Sequence, residues 1–318
     1  MATMTISTGP ADAPVAGDLT ARVRAARREL LEVLEPHRPA LYRFCRGLTG
    51  SAWDAEDLVQ DTLARAMTRA AETYAGIADP RAWLFRVAHN LAVDEWRRHR
   101  PLPVAEVPER AAPDAADPAE VRDALAAAAL LPPQESAALV LREAFDLPLA
   151  DIADVLGTTV GAVKAALHRG RGRLADPAPR RPAAASTALL DRLVEAFGRY
   201  DVDEVAALFR DRAVAEVVGV AVETGRDEIR DSSLTHVFVL EAHEVRYAAE
   251  RVDVLGEQVV VLREALPDGR GPLLDAFRVE ELDGSVQRVR WYYYCPEVLA
   301  EIAEELGVPV RTHGHLHG

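Results

Sequence analysis

The sequence predicts a multidomain chain: two all-α helical domains followed by an α+β domain. Three observations carry that prediction. Apolar residues recur at three and four positions through the first 175 residues, whereas Val, Phe and Tyr gather into short runs in the last third. Two proline-rich stretches divide the chain. At 318 residues with 49% hydrophobic content, it is too long for one ordinary small domain and can fill several cores.

The expected order is a disordered segment at 1–19, a helical domain at 20–100, a linker at 101–118, a second helical domain at 119–175, a linker at 176–186 and the α+β domain at 187–318. Between Pro101 and Pro118 there are five prolines in 18 residues. Proline lacks a backbone donor and blocks helix continuation, so the stretch reads as extended. Pro177, Pro179 and Pro182 mark the second break.

In the first block Leu30, Leu31, Leu34, Leu41, Phe44, Cys45 and Leu48 share one helix face, and Gly47 and Gly50 end that segment. Ser51 or Asp54 caps the next helix, which places Leu58, Leu63 and Met67 inward. Asp79-Pro80 opens a third helix running to Arg100. The second block predicts helices over about 134–145, 149–156 and 160–174. Ile152, Leu156, Val160, Val163 and Leu167 form a shared core, Gly157 supplies a positive-φ turn, and Thr158 or Thr159 caps the last helix. That is the anatomy of a helix-turn-helix. Its outer face presents Lys164, His168, Arg169, Arg171 and Arg173 to a groove and its phosphates.

The third block predicts helices at 189–200, 203–209 and 297–306. Strands are expected at 214–222, 245–254, 258–263, 274–281 and 286–294, with turns at Leu255-Gly256, Pro267-Asp268-Gly269 and Asp283-Gly284.

Charge sharpens the division. The net charge is −14. Residues 1–185 hold 23 basic and 25 acidic side chains, against 14 and 26 in 186–318. The window from Val160 to Leu174 has four basic residues and no acid, and local basicity governs phosphate binding. No run of about 18 apolar residues occurs, so no membrane-spanning helix and no membrane partner are expected. The first 20 residues lack the pattern of a secretory signal. Cys45 and Cys295, the only cysteines, lie 250 positions apart, which fits neither a metal finger nor a disulfide framework and suits a reducing cytoplasm.

Two further segments stand out. Asp54-Ala55-Glu56-Asp57-Leu58-Val59-Gln60-Asp61-Thr62 sets four acids at a helix start, where the helix dipole favours them. Arg86, Asn90, Arg97 and Arg98 fall within about three turns, with Trp83, Phe85 and Trp96 nearby.

Together these residues resemble the extracytoplasmic-function group of bacterial RNA polymerase sigma factors. The run DAEDLVQDT resembles the group's polymerase-clamp-binding signature in region 2. PRAWLFRVAHNLAVDEWRR is similar to its −10-reading helix. LPPQESAALVLREAFDLPLADIADVLGTTVGAVKAALHRGRGRL is similar to region 4, which reads the −35 element. The likeness covers roughly residues 25–175. It implies that Asp54, Glu56, Asp57, Gln60 and Asp61 face the clamp. It implies that Arg86, Asn90, Asp94, Arg97 and Arg98 meet the −10 region, with Tyr74 in the preceding loop. Thr159, Lys164, His168, Arg169 and Arg173 would meet the −35 region. Ala165 and Ala166 stand where the group often has a small polar and a basic residue.

The third block is similar to the SnoaL-like, NTF2-like cone fold that some members carry as an extension. Some cones are enzymes; His236, Asp253, Asp275 and Tyr292–Tyr294 are the acid–base candidates here, and they form no recognisable set. The resemblance implies a sigma factor that does no covalent chemistry, needs no cofactor or metal, and partners core polymerase and promoter DNA. An anti-sigma factor or a small ligand of the third block would be additional partners. The alternatives are a helix-turn-helix regulator that never touches polymerase, and a cone enzyme fused to a DNA-binding module.

Overall fold

The computed structural model describes residues 16–72, 76–99, 128, 131–173, 185–240, 246–267 and 269–314. Tyr74, the 101–118 linker, nearly all of 176–186, and His315 and His317 lie outside the described residues, as do the side chains of Arg98 and Arg173.

The first helical domain contains α1 (Ala16–Leu34), α2 (Arg38–Thr49), α3 (Ala52–Glu72) and α4 (Pro80–His99). Helix α1 starts within the segment expected to be disordered. The run from Leu30 to Leu48 is two helices, parted by a 3-10 turn at Glu35–His37 where Pro36 withholds a backbone donor. Gly50, at φ 71°, caps α2, while Gly47 is buried inside that helix instead of ending it. Ser51 Oγ accepts from the Asp54 amide at 3.3 Å, and Asp79 Oδ1 accepts from the Ala82 amide at 3.0 Å.

The second domain contains α5 (Pro133–Glu143), α6 (Leu149–Leu156) and α7 (Val160–Arg173). Gly157 takes φ 61° at the end of α6, and Thr159 Oγ1 accepts from the Ala162 amide at 3.2 Å. The expected hairpin core holds at Ile152, Val163 and Leu167. Val160 is a correction: as the first residue of α7 it points outward.

The third domain opens with α8 (Thr187–Arg199) and α9 (Val202–Ala206). Then come β1 (Phe209–Val217), β2 (Ala221–Thr224), the short α10 (Arg226–Ile229) and two π-turn segments to Leu240. Strands β3 (Tyr247–Val254), β4 (Glu257–Leu266), β5 (Gly269–Leu282) and β6 (Ser285–Trp291) precede α11 (Pro296–Leu306). The six strands form one sheet in the order β2-β1-β6-β5-β4-β3, parallel only between β1 and β6. The expected strand 214–222 is a hairpin: the chain turns at Gly219 with φ 80°. The expected strand 286–294 ends at Trp291, and Tyr292–Tyr294 turn into α11.

The sheet is buried on both faces, which explains the unbroken apolar run Val259–Leu262 in β4. Val260 and Leu262 face α8 and an aromatic cluster that fills the interior of this domain. In that cluster Phe197 lies 5.0 Å from Phe238 and 5.3 Å from Phe277 by ring centroids, and Trp291 lies 5.3 Å from Phe277. Val259 and Val261 face the other way, towards a core shared by α11 and both helical domains.

Candidate functional site: the acidic helix and the helix-turn-helix

Helix α3 sorts its acids by the helical repeat. Ala52, Trp53, Glu56, Val59 and Leu63 fall on the buried face, while Asp54 and Asp61 are exposed. Glu56 therefore corrects the expectation of an outward residue: its side chain is fully buried. It accepts from the Arg38 guanidinium, and from Gln60 Nε2 at 2.6 Å. Burial pushes the Glu56 carboxyl up, with Arg38 opposing, and Arg38 itself is held firmly protonated.

The third domain covers this helix. Arg290 of β6 donates to Asp57, which is half-buried as a result, and burial raises the Asp57 carboxyl against the pull of that guanidinium. The Arg278 guanidinium sits 5.3 Å above the Trp53 ring, and Tyr292 packs edge-on against it at 4.8 Å. Tyr42 donates to Glu301 at 2.8 Å, and Arg46 Nε donates to the same carboxylate at 3.1 Å. Gly219 presses on Gln60; a Cβ there would lie 2.8 Å from the amide oxygen. Of the five expected clamp residues, Asp54 and Asp61 thus remain exposed, Asp57 and Gln60 meet the third domain, and Glu56 is internal.

Helix α4 places Arg86, Asn90, Asp94 and Arg97 at steps of four, four and three, so they share one exposed face. Arg86 is engaged: its guanidinium donates to the Asp154 carbonyl at the end of α6, where the helix dipole favours a cation. The two helical domains also join through Phe85 and Phe145, 5.1 Å apart, with Arg43 and Arg81 over the Phe145 ring. Ser136 Oγ donates to the Gly47 carbonyl at 3.2 Å, which accounts for the burial of that glycine.

Thr159, which caps α7, and Lys164 and His168 on that helix are exposed. Lys164 and His168 line a depression of about 420 Å³ with Arg142 and Arg171. Arg169 has a different partner: it donates to buried Glu135 of α5 at 2.8 Å, and Arg171 pairs with Glu143 at 2.5 Å. A Cβ at Gly170 would lie 2.6 Å from Leu139 Cδ1, so the glycine lets α5 and α7 approach closely. Ala166 is fully buried and belongs to the packing; Ala165 is exposed.

The acid–base candidates of the third domain do not converge. His236 and Asp253 are exposed, buried Asp275 accepts from the Ala276 amide at 2.7 Å, and Tyr292 is buried against Trp53. His313 stacks on Tyr293 at 4.2 Å. Among the described residues no group of three or more His, Cys, Asp or Glu is placed to hold a metal ion, and no helix is long and apolar enough to cross a membrane. Sequence reading missed Arg38, Trp53, Arg278 and Arg290.

Sigma-70 region 2 matches residues 33–101 and Sigma-70 region 4 matches residues 122–174. The sigma factor SigL of Mycobacterium tuberculosis is 37% identical over 153 residues, 45% of this chain and 86% of SigL. SigG of the same species is 38% identical over 223 residues, 58% of this chain; the chain spans about 60% of the length of SigG. The crystal structure of the M. tuberculosis sigma factor SigJ is 24% identical, with a TM-score of 0.32, over 82% of this chain and 95% of that one. With both region families in order and a relative matched over most of its length, the chain belongs to the extracytoplasmic function RNA polymerase sigma factor family. The third domain, expected to be a cone, is a six-stranded mixed sheet with flanking helices that follows regions 2 and 4 in the chain.

Proposed function

We infer that this chain docks on bacterial core RNA polymerase, recognises −35 and −10 promoter DNA, and promotes initiation in the cytoplasm without covalent chemistry of its own. The observation that carries this reading is the pairing, on one chain and in order, of an acidic region 2 helix with a region 4 helix-turn-helix. Asp54 and Asp61 offer the clamp its first contacts. Asn90, Asp94 and Arg97 form the −10 face, joined by Arg86 once it leaves Asp154. Thr159, Lys164 and His168 form the −35 face. Arg169 acts mainly by holding α7 on α5. The cone interior is filled by aromatic side chains rather than by converging acid–base groups, which favours a regulatory over a catalytic role.

The cone keeps region 2 and region 4 in a closed arrangement. Asp57 faces Arg290 rather than polymerase, and Arg86 faces region 4 rather than DNA. Binding polymerase and a promoter therefore requires the cone to leave α3 and the two DNA-binding domains to part. Run-off transcription with core polymerase on genomic DNA fragments tests the reading. The expected result is initiation from discrete sites that depends on the added chain; addition of the chain without discrete start sites would refute it.

A further inference from the structure

The exposed surface of α7 divides by chemistry. Lys164 and His168 line a basic depression with Arg142 and Arg171. Contacts from such cations to phosphates fix position and affinity but carry no base sequence. Beside them stand Val160, Gly161 and Ala165, all exposed. Thr159, just before them, has its Oγ1 turned to the Ala162 amide at 3.2 Å.

Val160 is 39% exposed at the first position of α7. The hairpin core closes without it, through Ile152, Val163 and Leu167. A branched apolar side chain gains nothing from water and is a poor helix former. In a helix-turn-helix, the first residues of the second helix are the ones that reach base edges. Ala165 lies about 7.5 Å farther along the axis and about 140° around it, so Val160 and Ala165 flank Lys164. A Cβ on Gly161 would meet Thr159 Oγ1 at 3.9 Å, an ordinary contact, so packing leaves room for a side chain there. Its absence leaves bare backbone beside Val160 and lets the helix sit close to the groove floor.

None of these three side chains can form a hydrogen bond. The apolar feature of a base-pair edge in the major groove is the thymine 5-methyl group, and alanine is among the residues that contact it. We propose that Val160 and Ala165 select thymine at two positions of the −35 element by covering its 5-methyl groups, while the neighbouring cations supply affinity. This rests on the reading of α7 as the −35 helix.

Promoters are first mapped by run-off transcription with the full chain and core polymerase. Their −35 thymines are then replaced by deoxyuridine, one at a time and together. The exchange removes only methyl groups. Holoenzyme binding should weaken about fourfold at each of two positions and about fifteenfold for both. Val160→Ala should erase the uracil penalty at one position, and Ala165→Ser at the other. Lys164→Ala should weaken thymine and uracil fragments equally. Mapped −35 elements without thymine, equal binding of thymine and uracil fragments, or a full penalty at both positions in either Val160→Ala or Ala165→Ser would overturn the proposal. In all three results initiation persists. Absence of any discrete start site would instead overturn the sigma reading, and this proposal with it.

Discussion

Single residues in this chain divide cleanly between contact and support. His89 lies inside α4, and burial lowers its imidazole to about 4. A depressed folded pKa means stability that is present above about 6.5 and is lost as pH falls towards 4. The loss should reach about 3 kcal/mol. The His89→Leu variant should show a flatter stability profile between pH 6.5 and 4 in urea titrations; an unchanged slope would contradict the assignment. Lys164 and Arg169 should separate in the same spirit. Lys164→Ala removes an exposed cation, so it should weaken −35 DNA binding and lower the salt slope by about one, with stability unchanged. Arg169→Ala removes a partner of buried Glu135 and should cost about 1–3 kcal/mol of stability in addition. Equal thermal stability of the two variants would contradict that division.

At the scale of elements, the legible and illegible parts have physical causes. Helix ends were legible because Gly157, Thr159, Ser51 and Asp79 act through neighbours a few residues away. The orientation of Glu56 was also within reach. It stands three or four positions from Ala52, Trp53 and Val59 and seven from Leu63, so helical phase places it on the apolar face despite its charge. The β1–β2 hairpin was hidden because Val218-Gly219-Val220 interrupts an apolar run with one glycine and no polar turn residue. The cover over α3 was illegible for a different reason. Arg290 and Asp57 are 233 positions apart, and an arginine alternating with Val289 and Trp291 on a strand looks like any solvated side chain. Charge reversal on the exposed face of α3 tests the surviving assignment. Asp54→Lys with Asp61→Lys should lower affinity for core polymerase at least tenfold in a pull-down series, while leaving promoter-fragment binding by region 4 intact. Loss of both would contradict separate surfaces.

The whole molecule is held closed by a core that does not respect domain boundaries. Trp53, Cys45 and Tyr42 of region 2 share it with Tyr292, Cys295 and Ile302 of the cone. The division into a sigma part and an appended part is real in sequence but not in packing. A fragment ending at residue 185 would expose the Trp53 face, so it should melt below the full chain rather than behave as an independent unit. Coincident melting temperatures in calorimetry would show the interface to be dispensable.

The central claim is that polymerase takes the place of the cone on α3. Hydrogen exchange of the full chain, with and without core polymerase, measures this directly. Residues 52–63 should stay protected in both states, because one partner replaces the other. The turn at 218–220 and the segment 292–294 should lose protection when polymerase binds, because their cover is gone. Unchanged exchange at 218–220 and 292–294 in a complex that demonstrably forms would contradict the account.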